Sequence, residues 1–320
     1  MITALMFAIG IILIAFVMAF FGLGDVLDVM AGANTNYIVL AAVVQVAILV
    51  LISYRLILIS KKYNKLGLWQ AFKISMSGMT ISMLTPIAKI GGEPLKIYMM
   101  KKQFGGSRST AIIAVDTIAE MTSSLFVVFV VFMLFARDIP GVIASSFFAF
   151  LVVVAFLIAI LLKILLNPGW MRRLLRWTSR KIVKFANVNK KDYARLFYEA
   201  FKLLIKDRRI VTSAFGVSFV TKILEFLRMW LVFAAIGVFL PVEVVVIVWS
   251  VILVLYLVPW LPGSLGLIEF FGAGVFVFFG IASTTAAGGI LIDRFISYWM
   301  VLVIGMLIIS RIELPERLKK

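Results

Sequence analysis

The chain has 320 residues, 63% of them hydrophobic, and carries a formal net charge of +17. It contains no Cys and no His, which excludes disulfides, thiolate chemistry, the usual zinc ligand sets and histidine acid–base work. A mean hydropathy of +1.13 and repeated apolar runs of bilayer-crossing length define an all-α polytopic membrane protein. The positive charge suits cytoplasmic loops and an anionic lipid surface; no nucleic-acid module is recognisable, so nucleic acid is not an expected partner.

In chain order, Met1–Phe21 lacks a basic leader and a clear cleavage site, so a first span is read over Ile2–Leu23 rather than a signal peptide. The following loop carries Asp25 and Asp28 without Lys or Arg and is assigned outside. Tyr37–Ser60 crosses back and ends at Lys61, Lys62 and Lys65, inside. Leu68–Leu84 then meets Thr85-Pro86-Ile87-Ala88-Lys89-Ile90-Gly91-Gly92-Glu93-Pro94-Leu95-Lys96, followed by Lys101, Lys102 and Arg108. Proline and glycine break helices, and basic residues flank the insert, which predicts a broken-helix hairpin (68–104) entering from the cytoplasm and returning there.

Ala111–Phe135 crosses outward to the turn at Arg137-Asp138-Ile139-Pro140-Gly141, and Val142–Leu166 returns. Between Asn167 and Arg209 thirteen Lys or Arg stand against three acids, Asp192, Glu199 and Asp207. Trp170, Leu174, Leu175, Trp177, Ile182, Val183 and Phe185 interleave with these charges. The pattern predicts a cytoplasmic amphipathic connector (167–209) meeting anionic headgroups; alternatively its charge only sets topology. Val211–Leu240 goes out, Pro241-Val242-Glu243 turns, and Val244–Val258 dips into a second breaker, Leu261-Pro262-Gly263-Ser264-Leu265-Gly266-Leu267-Ile268-Glu269-Phe270. Phe270–Ile281 returns, closing a second hairpin (244–281) that enters from outside. Ser283–Gly289 is read as an external turn, and Ile290–Ile309 crosses to a charged tail ending at Lys320. Gly105-Gly106 and Gly288-Gly289 are read as loops.

A periodicity links the halves. Arg55, Pro86, Glu93 and Asp116 are spaced by 31, 7 and 23 residues; Arg228, Pro262, Glu269 and Asp293 are spaced by 34, 7 and 24. Opposite membrane orientation of the two sets makes this an inverted-topology repeat, 37–136 and 210–311, within one membrane domain, 1–320. The expected architecture is about eight transmembrane helices with two re-entrant broken-helix hairpins related as an inverted repeat. Ionisable residues inside a membrane line cavities or pair across helices. The candidates are Arg55, Lys89, Glu93, Lys96, Asp116, Glu120, Glu225, Arg228, Glu269, Asp293 and Arg294, with breaks at Pro86, Gly91, Gly92, Pro262, Gly263 and Gly266. Asp116 and Glu120, four apart, share a helix face, and Glu225 and Arg228, three apart, are close enough to pair. No GxxxxGK[ST], HExxH or triad-like arrangement is present, and neither metal nor cofactor is expected.

Pro86-x-x-x-x-Gly91-Gly92-Glu93 with a following basic residue, and Pro262-Gly263-x-x-Gly266-x-x-Glu269, resemble the lysylphosphatidylglycerol synthase transmembrane-region family over essentially the whole chain. These are flippase-like membrane proteins, among them the lipid-translocating part of MprF and AglD-like and YbhN-like proteins. The resemblance implies that Glu93 and Glu269, with their Pro and Gly neighbours, border a lipid cavity. Lys89 and Lys96 stand where Arg is commoner in the family. MprF proteins carry a soluble aminoacyltransferase domain after the membrane region; this chain stops at Lys320 and is not expected to make aminoacyl lipid itself.

The sequence therefore predicts a lipid flippase or transporter in the cell membrane, both termini cytoplasmic, moving a phospholipid, aminoacyl-lipid or polyprenyl-phosphate type of substrate. Arg55, Arg228 and Lys89 or Lys96 would take phosphate; Glu93, Asp116, Glu269 and Asp293 would hold cationic groups or couple protons. The rival classes are a membrane-embedded lipid-phosphate transferase and a non-transporting partner of a glycosyl- or aminoacyltransferase. A lipid-modifying enzyme partner and an oligomer are both compatible with the sequence.

Overall fold

A computed structural model of the chain describes residues 22–85, 91–135, 190–257 and 262–311, with isolated positions elsewhere. All secondary structure among the described residues is helical. The elements are α1 (Leu23–Ala31), α2 (Thr35–Ser60), α3 (Leu68–Leu84), α4 (Glu93–Phe104), α5 (Gly106–Phe135), α6 (Lys190–Lys206) and α7 (Arg208–Ala235). They are followed by α8 (Val242–Leu257), a 3₁₀ turn (Pro262–Ser264), α9 (Leu267–Phe278) and α10 (Ser283–Arg294). A π-helical segment (Phe295–Trp299) runs on into α11 (Met300–Ile309). Among the described residues, four helical stretches are long and apolar enough to cross a membrane: α2, α5, α7 and Ser283–Ile309. Helices this apolar satisfy their backbone groups internally, the condition for lying in hydrocarbon.

Most of the expected first span, most of Val142–Leu166, Pro86, Lys89 and the connector residues Trp170 to Phe185 lie outside the described residues. Two expectations change. The external loop with Asp25 and Asp28 is helical, as α1, and its Val26 is fully buried. Ser283–Gly289, read as a turn, forms the first two turns of α10. Its small residues are the reason: Ala286, Ala287, Gly288 and Gly289 are buried, with Gly288 against Val29 and Gly289 against the Phe233 ring. In a membrane bundle such residues mark close helix contact rather than exposure. Gly105, by contrast, does break the chain between α4 and α5, at φ +77°.

The chain divides into two compact units. One comprises 1–50, 72–95 and 223–320; the other comprises 51–71 and 96–222. In the first unit α3 packs on α2 and α11 through Leu49, Met76 and Val301, and Gly305 sits directly against Thr80. After α3 the chain doubles back. The Gly92 amide donates to Ser82 Oγ at 2.8 Å, and a Cβ at Gly92 would fall on the carbonyl of Gly78. The entry to the first breaker also meets the second, since Met83 and Leu84 pack against Leu265, Tyr298 and Leu302, and Tyr298 donates to the Met83 carbonyl at 3.3 Å.

In the second unit α6 is amphipathic. Tyr193, Phe197, Ala200, Phe201 and Leu204 recur at helical spacing, are buried, and pack on α5. Tyr193 Oη lies 2.6 Å from Thr110 Oγ1. Arg195 and Glu199 pair on the exposed face. At the α6–α7 joint Asp207 accepts from Lys62 Nζ at 2.7 Å and, more weakly, from the Ile210 amide, in the manner of an N-cap. The lysine hydrogen bond holds the Asp207 carboxyl below the usual carboxylate range.

Gly92→Ala forces a methyl group into backbone that cannot yield. It is expected to lower stability in detergent by about 1–3 kcal/mol. Gly216→Ala, in α7 with open space around it, is expected to be neutral or to stabilise by up to about 1 kcal/mol. Thermal unfolding of the two variants side by side checks this. Because the folded pKa of Asp207 is depressed, its contribution is present above the unfolded carboxylate range and lost as pH falls through the folded value. Asp207→Asn should therefore flatten part of the acid-side decline in melting temperature below about pH 4.

Candidate functional site

Each unit encloses a cluster built on one arginine. In the second unit Arg55 of α2 is completely buried. Its Nε donates to Asp116 Oδ1 at 2.6 Å, Nη1 to Ser218 Oγ at 2.9 Å and Nη2 to Glu120 Oε2 at 2.9 Å. The i, i+4 spacing on α5 is what aims Asp116 and Glu120 at one guanidinium. Lys96 of α4, also buried, lies 3.9 Å from Asp116 Oδ2. Lys222, one helical turn beyond Ser218 on α7, is only 2% exposed. The acids differ in access: the Asp116 side chain is 4% exposed and that of Glu120 is 30%.

In the first unit Arg228 of α7 forks onto Asp293 of α10, Nε to Oδ1 at 2.9 Å and Nη2 to Oδ2 at 3.2 Å, while Nη1 donates to Gln45 Oε1 of α2 at 2.6 Å. Ser297 in the π segment also donates to Asp293, at 3.4 Å. The neighbouring Arg294 takes a separate direction. Its Nε donates to Glu269 Oε1 at 2.8 Å and its Nη2 to the Gly263 carbonyl at 2.9 Å, with the guanidinium 4.5 Å from the Tyr298 ring centroid. The other Glu269 oxygen accepts the Gly266 amide at 2.6 Å, capping α9. Gly263 has φ +58°, and a Cβ there would enter the Tyr298 ring, so no other residue suits this turn. Glu269 is 1% exposed, and in this arrangement it fastens the second breaker.

The expected site residues thus separate. Arg55, Lys96, Asp116 and Glu120 come together in one unit; Arg228 and Asp293, with Glu269 and Arg294, form two adjoining pairs in the other. Arg228 donates to Asp293 and Gln45, while Glu225 accepts from Trp249 Nε1 at 3.1 Å. Glu93 opens α4, where an acid favours the helix dipole. Gly91 and Gly92 form the turn just before it. Sequence reasoning missed Gln45, Ser218 and Lys222. The signal was positional: Gln45 lies ten residues before Arg55 and Ser218 ten before Arg228, and each serves the other's arginine.

Helices of bilayer length whose charges are gathered into buried guanidinium–carboxylate clusters define a multi-pass membrane protein without a recognisable soluble catalytic module in its described part. The chain belongs to the family of the lysylphosphatidylglycerol synthase TM region, which matches residues 3–305. It is 25% identical over 319 residues to a UPF0104 membrane protein of Methanothermobacter thermautotrophicus, covering 95% of this chain and 93% of that protein. A second such protein of that organism is 29% identical over 328 residues, covering 93% and 90%. A UPF0104 membrane protein of Methanocaldococcus jannaschii is 25% identical over 326 residues, covering 97% and 95%.

Removing one partner of a buried pair leaves an uncompensated charge. Arg228→Met is expected to cost about 3–5 kcal/mol, and Arg228→Met/Asp293→Leu to recover most of that loss. Denaturant unfolding of both variants in detergent is the measurement.

Proposed function

We propose that this protein moves a lipid with an anionic, phosphate-bearing headgroup between leaflets of the cell membrane, without an ATPase of its own. The observation that carries this reading is the opening of the Arg55 cluster at Glu120, where charged groups within membrane-spanning helices become accessible. Arg55 and Lys96 are buried beside Asp116, and Glu120, whose side chain is 30% exposed, gives the cluster its accessible side. Ionisable groups inside membrane-spanning helices pair or line a polar passage, and an arginine with a lysine beside it suits the phosphate that a bilayer lipid supplies. The Arg228 and Arg294 pairs are matched one to one and serve as structural fastenings.

The reciprocal service of Ser218 to Arg55 and of Gln45 to Arg228 supports an inverted repeat, 37–136 and 210–311, with the two breakers as re-entrant hairpins near mid-depth. In that reading both termini are cytoplasmic. The exposed basic residues Lys61, Lys62, Lys65, Lys202, Lys206, Arg208 and Arg209 lie against anionic headgroups. The lipid's tails stay in hydrocarbon while its phosphate passes the Arg55 cluster.

The test is translocation of fluorescent phosphatidylglycerol in proteoliposomes, read by quenching with an impermeant reductant. Wild-type protein should move the lipid faster than protein-free liposomes. Arg55→Lys, which keeps the charge and loses the planar fork, should slow it by roughly tenfold or more. Identical rates with and without wild-type protein would remove the proposal.

A further inference from the structure

A helix that stops inside a membrane leaves its last carbonyls without amide donors, and each must be met by a side chain, water or a ligand. In the first unit both breakers meet one of theirs with a hydroxyl from just beyond the helix end. Thr85 donates to the Ile81 carbonyl of α3 at 2.9 Å, and Ser264 donates to the Leu255 carbonyl of α8 at 3.2 Å. Ser264 does so at φ +52°, a left-handed conformation unfavourable for a residue other than glycine, directly after the left-handed Gly263. The second breaker is thus a strained turn kept in place by its contacts.

Two further carbonyls, one at the entry to the first breaker and one inside the second, are met from a single turn of the chain. Tyr298 donates to the Met83 carbonyl at 3.3 Å, and Arg294 donates to the Gly263 carbonyl at 2.9 Å. The two side chains touch, with the guanidinium 4.5 Å from the ring centroid. The π-helical segment begins directly after Arg294 and contains Tyr298; at its end the Met300 amide reaches back five residues to the Phe295 carbonyl. Widened turns of this kind are rare and gather at functional sites. The ring also occupies the space beside Gly263 that a side chain there would need.

The two holds differ in strength. Arg294 is charge-paired with Glu269 at 2.8 Å as well as bonded to Gly263, so the stack is tied firmly to the second breaker. Its tie to the first is a long, neutral hydrogen bond, together with packing of Met83 and Leu84 on the cluster of Leu265, Tyr298 and Leu302. Lipid can replace apolar contact inside a bilayer, which leaves the hydroxyl as the specific link.

Resting on the transport function proposed above, we infer that Tyr298 relays conformational change between the two breakers, and is a positioning residue of the transport cycle that acts through the turns and not on the lipid. Loosening of the strained turn passes through the Arg294–Tyr298 stack and frees the Met83 carbonyl, so the end of α3 opens with it. Tyr298→Phe cuts that link and leaves the second breaker's own contacts in place.

The chain has no Cys, so a single introduced cysteine reports on each breaker. Leu84→Cys is the first reporter and Leu267→Cys the second, both at half-buried positions. Full-length protein in proteoliposomes is modified with a small membrane-permeant maleimide, alone and with Ser264→Ala, Tyr298→Phe or both. Ser264→Ala removes the hydroxyl of the second breaker and keeps its strained conformation. It should quicken modification of both reporters by about fivefold. With Tyr298→Phe added, the second reporter should still respond to Ser264→Ala and the first should not. An equal factor at the first reporter in both backgrounds, or none in either, overturns the relay. Amide hydrogen exchange across residues 79–85 reads the same cycle in the cysteine-free chain and decides alone if a reporter variant does not fold. In the translocation assay Tyr298→Phe should lower the maximal rate about fivefold at an unchanged half-saturating lipid concentration. A shifted half-saturation with the maximal rate kept places the residue on the lipid and overturns the positioning role. An absent relay with transport still dependent on Arg55 sinks only this inference. No acceleration by wild-type protein sinks the transport function, and the labelling cycle still decides the relay.

Discussion

A guanidinium can be buried among apolar helices only if a carboxylate meets it, and that requirement organises this molecule. Leucine gains little by leaving lipid for another leucine, so apolar surface alone sets neither the neighbours of a membrane helix nor their register. The Arg55–Asp116 and Arg228–Asp293 pairs do so here. Each ties helices more than sixty residues apart in sequence, and each imposes a depth on both, because sliding either helix by one turn would separate the charges. Small residues then allow the approach that the charges require: Gly305 against Thr80, Gly92 against Gly78, and Gly289 against Phe233.

The same logic explains the second breaker. A chain that leaves its helix inside a membrane exposes amides and carbonyls that must be met by protein or water. Glu269 receives the Gly266 amide, Arg294 reaches the Gly263 carbonyl, and the two side chains neutralise each other. A carboxylate and a guanidinium thus satisfy the broken backbone while carrying no net charge. Asp293 and Arg294, adjacent on α10, feed two different pairs, which couples the shape of the turn to the position of α7.

How much of this was legible in the sequence followed from which features leave a distinctive residue type behind. The helices α2, α3 and α7, the two breakers and the Arg–Asp spacings were visible because long apolar runs, Pro–Gly clusters and isolated charges are conspicuous. The start of α10 was not: Ser283–Gly289 has the composition of a soluble turn, and only the lipid context makes small residues a packing surface. The helical character of α1 was hidden for a related reason, since its burial rests on Val26 alone. Gln45 and Ser218 were missed because neutral polar residues occur throughout membrane helices, and nothing local marks one as an arginine's third partner. Lys222 was less hidden. A lysine within an apolar span is itself conspicuous, yet its neighbours Glu225 and Arg228 suggested local pairing.

The contrast between the clusters bears on what a transport site must be. A fully matched pair such as Glu269–Arg294 has no use for an incoming anion, because binding one would strand the carboxylate in a dry interior. An unmatched arginine would be too costly to bury without substrate. Between these limits lies a cluster that keeps its arginine paired while one carboxylate stays partly accessible, and the Arg55 cluster has that form, with Asp116 4% exposed and Glu120 30%. Asp116 at Nε and Ser218 at Nη1 hold the guanidinium from two helices, and Glu120 meets the remaining nitrogen from the more accessible side.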